Sequence, residues 1–263
     1  MYTSRRKQLS QNFLGNPQLI RQLVGRSSIG SADLVLEIGP GKGFITGELL
    51  RVARCVVAVE LDAKLVLHLR RYFADEPRLH IASGDILAHP LPATPYKVFA
   101  NIPFAIEGQI VRKLIDAENA PEDCYLVVMR ELAERLSGLP HHNQFSLKHQ
   151  PWFAFSLVHR FRRADFVPQP RVESVLWRIK RREQALLPED EKARYHRFIE
   201  TAFAQGQPIR QGLRAIVSRA EVRHLCDAVG IDPACKPSYL SPEHWLAMYR
   251  YVRIYSANRR GLS

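Results

Sequence analysis

The 263-residue sequence has no apolar run near the roughly 18–20 residues that a membrane-spanning helix requires. Its N-terminus, MYTSRRKQLSQNF, is basic and lacks the apolar stretch of a signal peptide. These two absences predict a protein that stays in the cytoplasm and makes no membrane contact.

Cysteine and metal-binding patterns are also scarce. The four cysteines lie far apart in the sequence, form no CxxC pair and are expected to be free thiols. Ten histidines are present, but no HExxH or comparable spacing occurs among them. The sequence therefore predicts neither a disulfide framework nor a metal site.

Negative charge is nearly missing from two segments of the chain. Residues 1–32 contain five basic side chains and no acidic one, and residues 142–182 contain nine basic and two acidic side chains. These segments account for the whole formal charge of +12, so the remainder of the chain is neutral. Such a concentration indicates two surfaces that face a polyanion, although composition alone fits two solvated basic faces equally well.

Between residues 33 and 130, short apolar segments alternate with helical patterns. The segments with strand character are DLVLEIG (33–39), CVVAVEL (55–61), LHIASGD (79–85), KVFANIP (97–103) and CYLVVMR (124–130). The segment IEGQIVRKLIDA, between the last two, has apolar residues at helical spacing. Strands joined by helical crossovers predict a parallel sheet that is covered on both faces.

Two later segments, FSLVHRF (155–161) and SVLWRIKR (174–181), predict antiparallel strands at the edge of the same sheet. Beyond a charged linker the patterns are helical, and Ser241 followed by Pro242 predicts the start of one helix. We therefore expect two domains, one over residues 1–183 and a small helical one over residues 184–263.

The segment EIGPGKG (37–43) follows the first predicted strand and opens a helix. Its three glycines lack a Cβ, so the backbone can turn tightly there and approach a ligand closely. A P-loop would need Gly at position 36 and Ser or Thr at position 43, where this sequence has Leu36 and Gly43. The dinucleotide fingerprint fits imperfectly, because Phe44 stands at its third small position. Taken alone, the turn also fits simple packing of a helix on a sheet.

Acidic residues end the next two predicted strands. Glu60 lies 19 residues after Gly41, where a carboxylate accepts the hydroxyls of a ribose in open α/β sheets. Asp85 lies 25 residues after Glu60 and is placed to accept the amine of a bound adenine. Together with the glycine turn, these residues predict a bound adenosine, and the Gly-x-Gly-x-Gly spacing favours S-adenosylmethionine over NAD.

The fourth predicted strand ends in NIPF (101–104). The exocyclic N6 of adenine is a poor nucleophile, because its lone pair is delocalised into the ring. The side-chain oxygen of Asn101 and the carbonyl of Ile102 can each accept one N6–H, which aims the lone pair at an activated methyl group. Pro103 fixes the loop and removes a competing N–H. Phe104 can stack on an adenine that has been extruded from a helix or loop.

Six motifs, in this order, resemble those of the Erm-type 23S rRNA adenine N6-methyltransferases and, more distantly, their KsgA-like relatives. They are QNFL (11–14), EIGPGKG (37–43), Glu60, GDI (84–86), NIPF (101–104) and FVPQPRVESV (166–175). The resemblance covers nearly the whole chain. It implies an α/β, Rossmann-like class I methyltransferase fold with a mostly parallel seven-stranded sheet and a small C-terminal helical domain. The sequence departs from the commoner pattern at Phe104, where Tyr is frequent, and its GKG form favours the Erm type.

The same resemblance implies roles for individual residues. The implied contacts to S-adenosylmethionine are Asn12, Leu14, Gly39, Gly41, Glu60, Leu61, Asp85, Ile86 and Asn101. The rings of Phe104 and Phe166 are expected to sandwich the target adenine. Basic side chains near these motifs are expected to bind RNA phosphates. They are Arg5, Arg6, Lys7, Arg160, Arg162, Arg163 and Arg171.

An Erm-type enzyme implies rRNA as the partner, a monomeric chain, methylation of 23S rRNA, and resistance to macrolide and lincosamide antibiotics. The stage of ribosome assembly at which it would act is open. Two alternatives also stay open: a small-subunit rRNA adenine dimethyltransferase of ribosome biogenesis, and a non-catalytic RNA-binding assembly factor. The intact set of Glu60, Asp85 and NIPF argues against the last.

Overall fold

The computed structural model of the protein describes residues 13–203 and 206–259, with side chains described up to residue 254. The strands are β1 (Phe13–Leu14), β2 (Leu34–Ile38), β3 (Cys55–Glu60), β4 (Leu79–Ser83), β5 (Lys97–Asn101), β6 (Asp123–Met129), β7 (Phe153–Arg160), β8 (Phe166–Val167) and β9 (Ser174–Arg181). The α-helices are α1 (Pro17–Gly25), α2 (Phe44–Leu50), α3 (Ala63–Tyr72), α4 (Glu107–Ile115), α5 (Arg130–Ser137), α6 (Gln144–His149), α7 (Lys192–Ala202), α8 (Ile209–Leu213), α9 (Arg219–Val229) and α10 (Pro242–Arg259).

Seven strands form the main sheet, in the order β4-β3-β2-β5-β6-β9-β7. The pairs β3–β4, β2–β3, β2–β5 and β5–β6 are parallel, whereas β9 runs antiparallel to β6. This confirms the predicted mostly parallel seven-stranded sheet, with the two late strands at its edge. A separate two-stranded ribbon, β1 with β8, was not predicted.

The central strands are rich in buried apolar residues, because helices cover both faces of the sheet. In β6, six of the seven residues are buried. The rings of Phe99 on β5 and Tyr125 on β6 stack with their centroids 5.8 Å apart. Leu14 and Phe166, from the two strands of the ribbon, belong to the same buried cluster.

The chain divides into two compact units. The sheet unit comprises the described residues up to 133 together with 154–181, and the helical unit comprises 134–153 together with the described residues from 182 onward. From the sequence, residues 134–153 were expected in the first domain. These residues contain α6, which packs on α7 in the helical unit: Lys148 pairs with the Glu200 carboxylate, and the His196 ring lies 3.1 Å from the Lys148 carbonyl oxygen.

Local signals set the helix ends of the helical unit. Ser218 and Glu221 form a reciprocal capping box at the start of α9. The predicted start of the last helix is confirmed, because α10 begins at Pro242 and the Ser241 hydroxyl accepts the backbone N–H of His244 at 3.4 Å. Within the described part of the chain, no helix is both long enough and apolar enough to cross a membrane.

Candidate active site

The predicted site lies where the strand order of the sheet reverses, between β2 and β5. From β2 the chain builds outward through β3 and β4, then returns to place β5 on the other side of β2. In open α/β sheets, ligands bind at this reversal, outside the carboxyl ends of the strands. A Cβ added to Gly39, just after β2, would lie 4.0 Å from the carbonyl oxygen of Asn101 at the end of β5. The glycine turn and NIPF therefore meet at this edge.

The glycine turn has a backbone that other residues adopt only with strain. Gly39, Gly41 and Gly43 have φ angles of 65°, 59° and 86°, in the left-handed region that favours glycine. A Cβ on Gly41 would lie 2.5 Å from Cε1 of Phe13. The Phe13 ring thus rests directly against the turn, an approach that a larger residue at Gly41 would block.

Glu60 is held rigidly at the end of β3. One carboxylate oxygen accepts the N–H of Gly41 at 3.0 Å, and the other accepts the N–H of Asp62 at 2.9 Å. The residue is only 1% exposed. A carboxylate offers about four acceptor positions, so each oxygen can still accept one further hydrogen bond. The geometry thus joins the predicted ribose-binding carboxylate to the glycine turn.

The loop after β4 carries Asp85. The Gly84 N–H donates to the Glu60 carbonyl at 2.9 Å, which fixes the start of this loop beside β3. Asp85 is exposed, and one oxygen of its carboxylate accepts the N–H of Leu87 at 2.9 Å. Of the two predicted apolar neighbours, Ile86 is buried and Leu61 is 57% exposed.

Two side chains that the sequence analysis did not single out hold this loop. The Lys113 ammonium, on α4, donates to the carbonyl of Leu87 at 2.9 Å. The Asn119 amide donates to the carbonyls of Pro92 and Thr94 at 2.6 and 3.2 Å. Because α4 follows NIPF directly, Lys113 links NIPF to the loop that carries Asp85.

NIPF forms a short, well-defined turn at the end of β5. Asn101 is the last residue of the strand and pairs in register with Val127 of β6. Ile102 is buried, whereas Asn101, Pro103 and Phe104 are each partly exposed. Phe104 begins a single 3₁₀ turn, closed by the N–H of Ile106 donating to the Pro103 carbonyl at 3.1 Å. The ring predicted to stack on a base is therefore partly accessible, on a backbone that the turn fixes.

Glu37, beneath the glycine turn, was missed as a site residue. It is 1% exposed; one carboxyl oxygen accepts the Thr46 hydroxyl at 2.6 Å, and the other has no hydrogen-bond partner among the described residues. Burial raises the pKa of the Glu37 carboxyl to about 8, although the Thr46 hydrogen bond opposes this shift. The only sequence signal was an acidic residue within an otherwise apolar strand.

The second predicted stacking ring, Phe166, is not open in this structure. It is 1% exposed, lies in the core cluster and packs edge-to-face on Phe161 with centroids 5.3 Å apart. Its strand partner Leu14 is also buried, at 4% exposure. A sandwich between Phe104 and Phe166 stays a prediction, and it would require the ribbon of β1 and β8 to uncover one face of the Phe166 ring.

The predicted RNA contacts are only partly described. Asn12, Arg5, Arg6 and Lys7 lie outside the described residues. The others, Arg160, Arg162, Arg163 and Arg171, are all exposed. Arg163 donates to the Arg171 carbonyl at 3.2 Å, which ties the two together, and the Arg162 side chain is 82% exposed with an ion pair of 3.4 Å to Asp165.

These groups fit a bound adenosine. Glu60 and Asp85 supply acceptors for hydroxyl and amine groups, and the glycine turn allows close backbone approach. One buried oxygen of Glu37 also has no hydrogen-bond partner among the described residues. Among the described residues, no group of three or more His, Cys, Asp or Glu side chains is placed to hold a metal ion.

Comparison with known proteins identifies the class. The family described as ribosomal RNA adenine dimethylase matches residues 2–253, so the chain belongs to that family. It is an S-adenosylmethionine-dependent rRNA adenine N6-methyltransferase.

Relatives of two kinds are similar to it. The rRNA adenine N-6-methyltransferase of Bacteroides fragilis is 31% identical over 239 residues, 90% of this chain and 89% of that protein. The ribosomal RNA small subunit methyltransferase A of Nocardia farcinica is 36% identical over 248 residues, 88% of this chain and 84% of that protein. The crystal structure of the 23S rRNA methyltransferase ErmE matches with a TM-score of 0.83 and 27% identity, covering 92% of this chain and all of that one.

Proposed function

We propose that this enzyme methylates N6 of one specific adenine of 23S rRNA and thereby confers resistance to macrolide- and lincosamide-type antibiotics. The observation that carries the proposal is the likeness to the 23S rRNA methyltransferase ErmE over that protein's whole length, at a TM-score of 0.83. The GKG form of the glycine turn supports the same choice.

The methyl donor binds at the ends of β2, β3 and β4. S-adenosylmethionine supplies an activated methyl group. Glu60 accepts hydroxyls of the donor's ribose with the acceptor positions that Gly41 and Asp62 leave free, and Asp85 accepts the amine of its adenine. Lys113 keeps the loop of Asp85 in place through the Leu87 carbonyl.

The target adenine is bound by NIPF. The side-chain oxygen of Asn101 accepts one N6–H and the Ile102 carbonyl accepts the other, so that the N6 lone pair faces the methyl group. Phe104 stacks on the base, which offsets part of the cost of extruding it. The methyl carbon would pass from the donor's sulfonium to N6, as the methyl–sulfur bond breaks and the sulfur keeps the electron pair as a neutral thioether. N6 would then release a proton to solvent, so no strong general base is required.

A second target has an observation in its favour. The small-subunit methyltransferase of Nocardia farcinica is 36% identical, more than the 31% of the Bacteroides fragilis rRNA methyltransferase. The same contacts would bind the target adenine of either RNA, because they involve only its N6 edge and its ring face. The two functions differ in the surface that binds the surrounding RNA.

Mapping the modified nucleotide tests the proposal. The chain is expressed in a bacterium that lacks a resistance methyltransferase, and N6-methyladenine is located in both rRNAs by mass spectrometry of nuclease fragments. We expect a new mark in 23S rRNA together with raised tolerance to a macrolide and a lincosamide. Asn101→Ala should abolish the mark while only moderately weakening donor binding. A mark confined to small-subunit rRNA would replace the proposed target with the second one.

A further inference from the structure

A polar cleft of about 330 Å³ lies in the sheet unit, between α1 and the chain that leaves β7. Its volume is at the small end of the range for ligand sites, about 300–1,000 Å³. Its lining side chains include Gln18, Gln22, His159, Arg160, Arg162 and Asp165.

Both walls of the cleft are fixed by hydrogen bonds. The Gly15 N–H donates to the Asp165 carbonyl at 2.9 Å, and Asn16 caps α1 by accepting the Leu19 N–H at 3.1 Å. On the other wall, the buried Asp165 carboxylate accepts the backbone N–H of Arg162 at 2.8 Å. The cleft is therefore a formed feature of the fold.

The lining combines two kinds of polar group. Arg160 and Arg162 are exposed guanidinium groups, and the 3.4 Å ion pair with Asp165 uses only part of the hydrogen-bonding capacity of Arg162. Gln18 and Gln22 present exposed side-chain amides, each with donors and an acceptor. The guanidinium groups can bind a phosphate, and the amides can bind the hydrogen-bonding edge of a base attached to it.

His159 adds a neutral group to this lining. Burial lowers the pKa of its imidazole, the Asp165 carboxylate opposes the shift, and the charges of Arg26 and Arg162 add to it. The ring also packs edge-to-face on Phe161, with centroids 4.8 Å apart. A neutral imidazole held in place can donate one hydrogen bond and accept another, as a nucleobase edge requires.

The cleft is adjacent in the chain to the ribbon beside the cofactor turn. Asp165 immediately precedes Phe166 of β8, and Gly15 immediately follows Leu14 of β1. The neighbouring Phe13 ring rests against Gly41. A nucleotide in the cleft would therefore belong to RNA that also approaches the methylation site.

We propose that this cleft binds one unpaired nucleotide that flanks the target adenine, with Arg160 and Arg162 on its phosphate and Gln18 and Gln22 on the edge of its base. The proposal rests on the methylation of an rRNA adenine by this enzyme. It does not depend on whether that adenine lies in 23S rRNA, as proposed, or in small-subunit rRNA. Single-stranded RNA is read at base edges in this way, whereas phosphate contacts fix the register.

Salt dependence tests the phosphate contacts. The probe is a fragment of whichever rRNA the enzyme is found to methylate, and its binding is measured by fluorescence anisotropy over a range of salt concentrations. Arg160→Ala should reduce the slope of log affinity against log salt by about 0.7, the value for one phosphate contact on a single strand. Arg70→Ala, at an exposed arginine of α3 in the same unit, is the matched control and should leave the slope unchanged.

An abasic scan tests the base contact. Each nucleotide within three positions of the target adenine is replaced in turn by an abasic nucleotide. Wild-type binding should fall several-fold at one position, and Gln22→Ala should remove the difference there while leaving donor binding unchanged. An unchanged salt slope in Arg160→Ala, an equal loss in Arg70→Ala, or no position sensitive to Gln22 would overturn the cleft proposal. The location of the methyl mark decides the 23S target separately.

Discussion

Among single residues, Phe104 most directly tests the proposed binding of the target base. Replacing Phe104 with Ala would remove the proposed base stacking, a contact of about 1–3 kcal/mol, and should lower kcat/KM by roughly 5- to 150-fold. Phe104→Tyr keeps the ring and should stay within a few-fold of wild type. Single-turnover methylation of an rRNA fragment measures both variants. Near-normal turnover by Phe104→Ala would show that the ring does not hold the base.

Glu37 should make stability depend on pH. Burial raises its pKa from 4.5 to about 8, so between these values the folded protein keeps a proton that the unfolded chain releases. Stability therefore falls as pH rises through this window. The contribution of Glu37 to the free energy of unfolding is greatest below pH 4.5.

Glu37→Gln should remove that dependence while keeping an acceptor for Thr46. The free energy of unfolding in urea is compared for the two proteins at pH 5.5 and 7.5. We expect wild type to lose about 2 kcal/mol more than the variant over this interval. Parallel pH profiles would mean that Glu37 is ionised in the folded protein.

At the residue level, the sequence predicted where Glu60 and Asp85 lie, because both stand at the ends of predicted strands. Glu60 ends β3 and accepts the N–H of Gly41, and Asp85 follows Gly84, whose N–H donates to the Glu60 carbonyl. Their roles in binding the methyl donor stay predictions. The burial of Phe166 could not be predicted, because it depends on packing against Phe161. Lys113 was missed for a similar reason: its acceptor, Leu87, is 26 residues away in the chain.

At the level of secondary structure, α4 connects NIPF to the loop of Asp85 through Lys113. Lys113→Met should free the Leu87 carbonyl and loosen that loop, because a hydrogen bond from a charged group contributes about 1.5–3 kcal/mol. We expect KM for S-adenosylmethionine to rise about tenfold, with little change in kcat. Initial rates at saturating RNA separate the two constants.

Lys113→Arg retains a cationic donor and should restore most of the affinity. A loss of kcat with an unchanged KM for the methyl donor would instead mean that Lys113 acts on NIPF. A general loss of stability in both variants would assign it a structural role.

The main strands were predictable as elements, because each is a short apolar run bounded by polar or turn residues. The sequence predicted that the two late strands would be antiparallel, and β9 does run antiparallel to β6, but its choice of β6 as partner was not predicted. The ribbon of β1 and β8 was not predictable, since each strand has only two residues and therefore no periodicity. Its register, Leu14 opposite Phe166, is visible only in three dimensions.

At the scale of the whole molecule, the helical unit contains a close backbone approach between α7 and α8. A Cβ on Gly212 of α8 would lie 1.9 Å from the carbonyl oxygen of Ala202 at the end of α7. Because both partners are backbone, neither can rotate away, and Gly212→Ala should cost about 1–3 kcal/mol or more. The midpoint of urea unfolding measures the loss.

Gly47→Ala is the matched control, since nothing lies within 4 Å of a Cβ added to Gly47 in α2. This change should be neutral or stabilise by up to about 1 kcal/mol. Equal midpoints for Gly212→Ala and wild type would show that α7 and α8 separate without penalty.

The basic segments were predicted to mark RNA-facing surfaces. In the structure, some of their cations form ion pairs within the fold, and others are exposed. Arg178 pairs with the buried Asp123 at 2.6 Å and lies over the Tyr125 ring, and Lys148 pairs with Glu200. These cations stabilise the fold. The exposed arginines between Arg160 and Arg171 belong to the same basic segment and are open to a polyanion.

The ribbon of β1 and β8 has a thermodynamic consequence. One end of it places Phe13 over Gly41, and the other continues into the wall of the polar cleft at Asp165. If binding of the methyl donor and binding of RNA each displace the ribbon, linkage requires that the two change each other's affinity by the same factor. The two short strands would then make the affinity for each substrate depend on whether the other is bound.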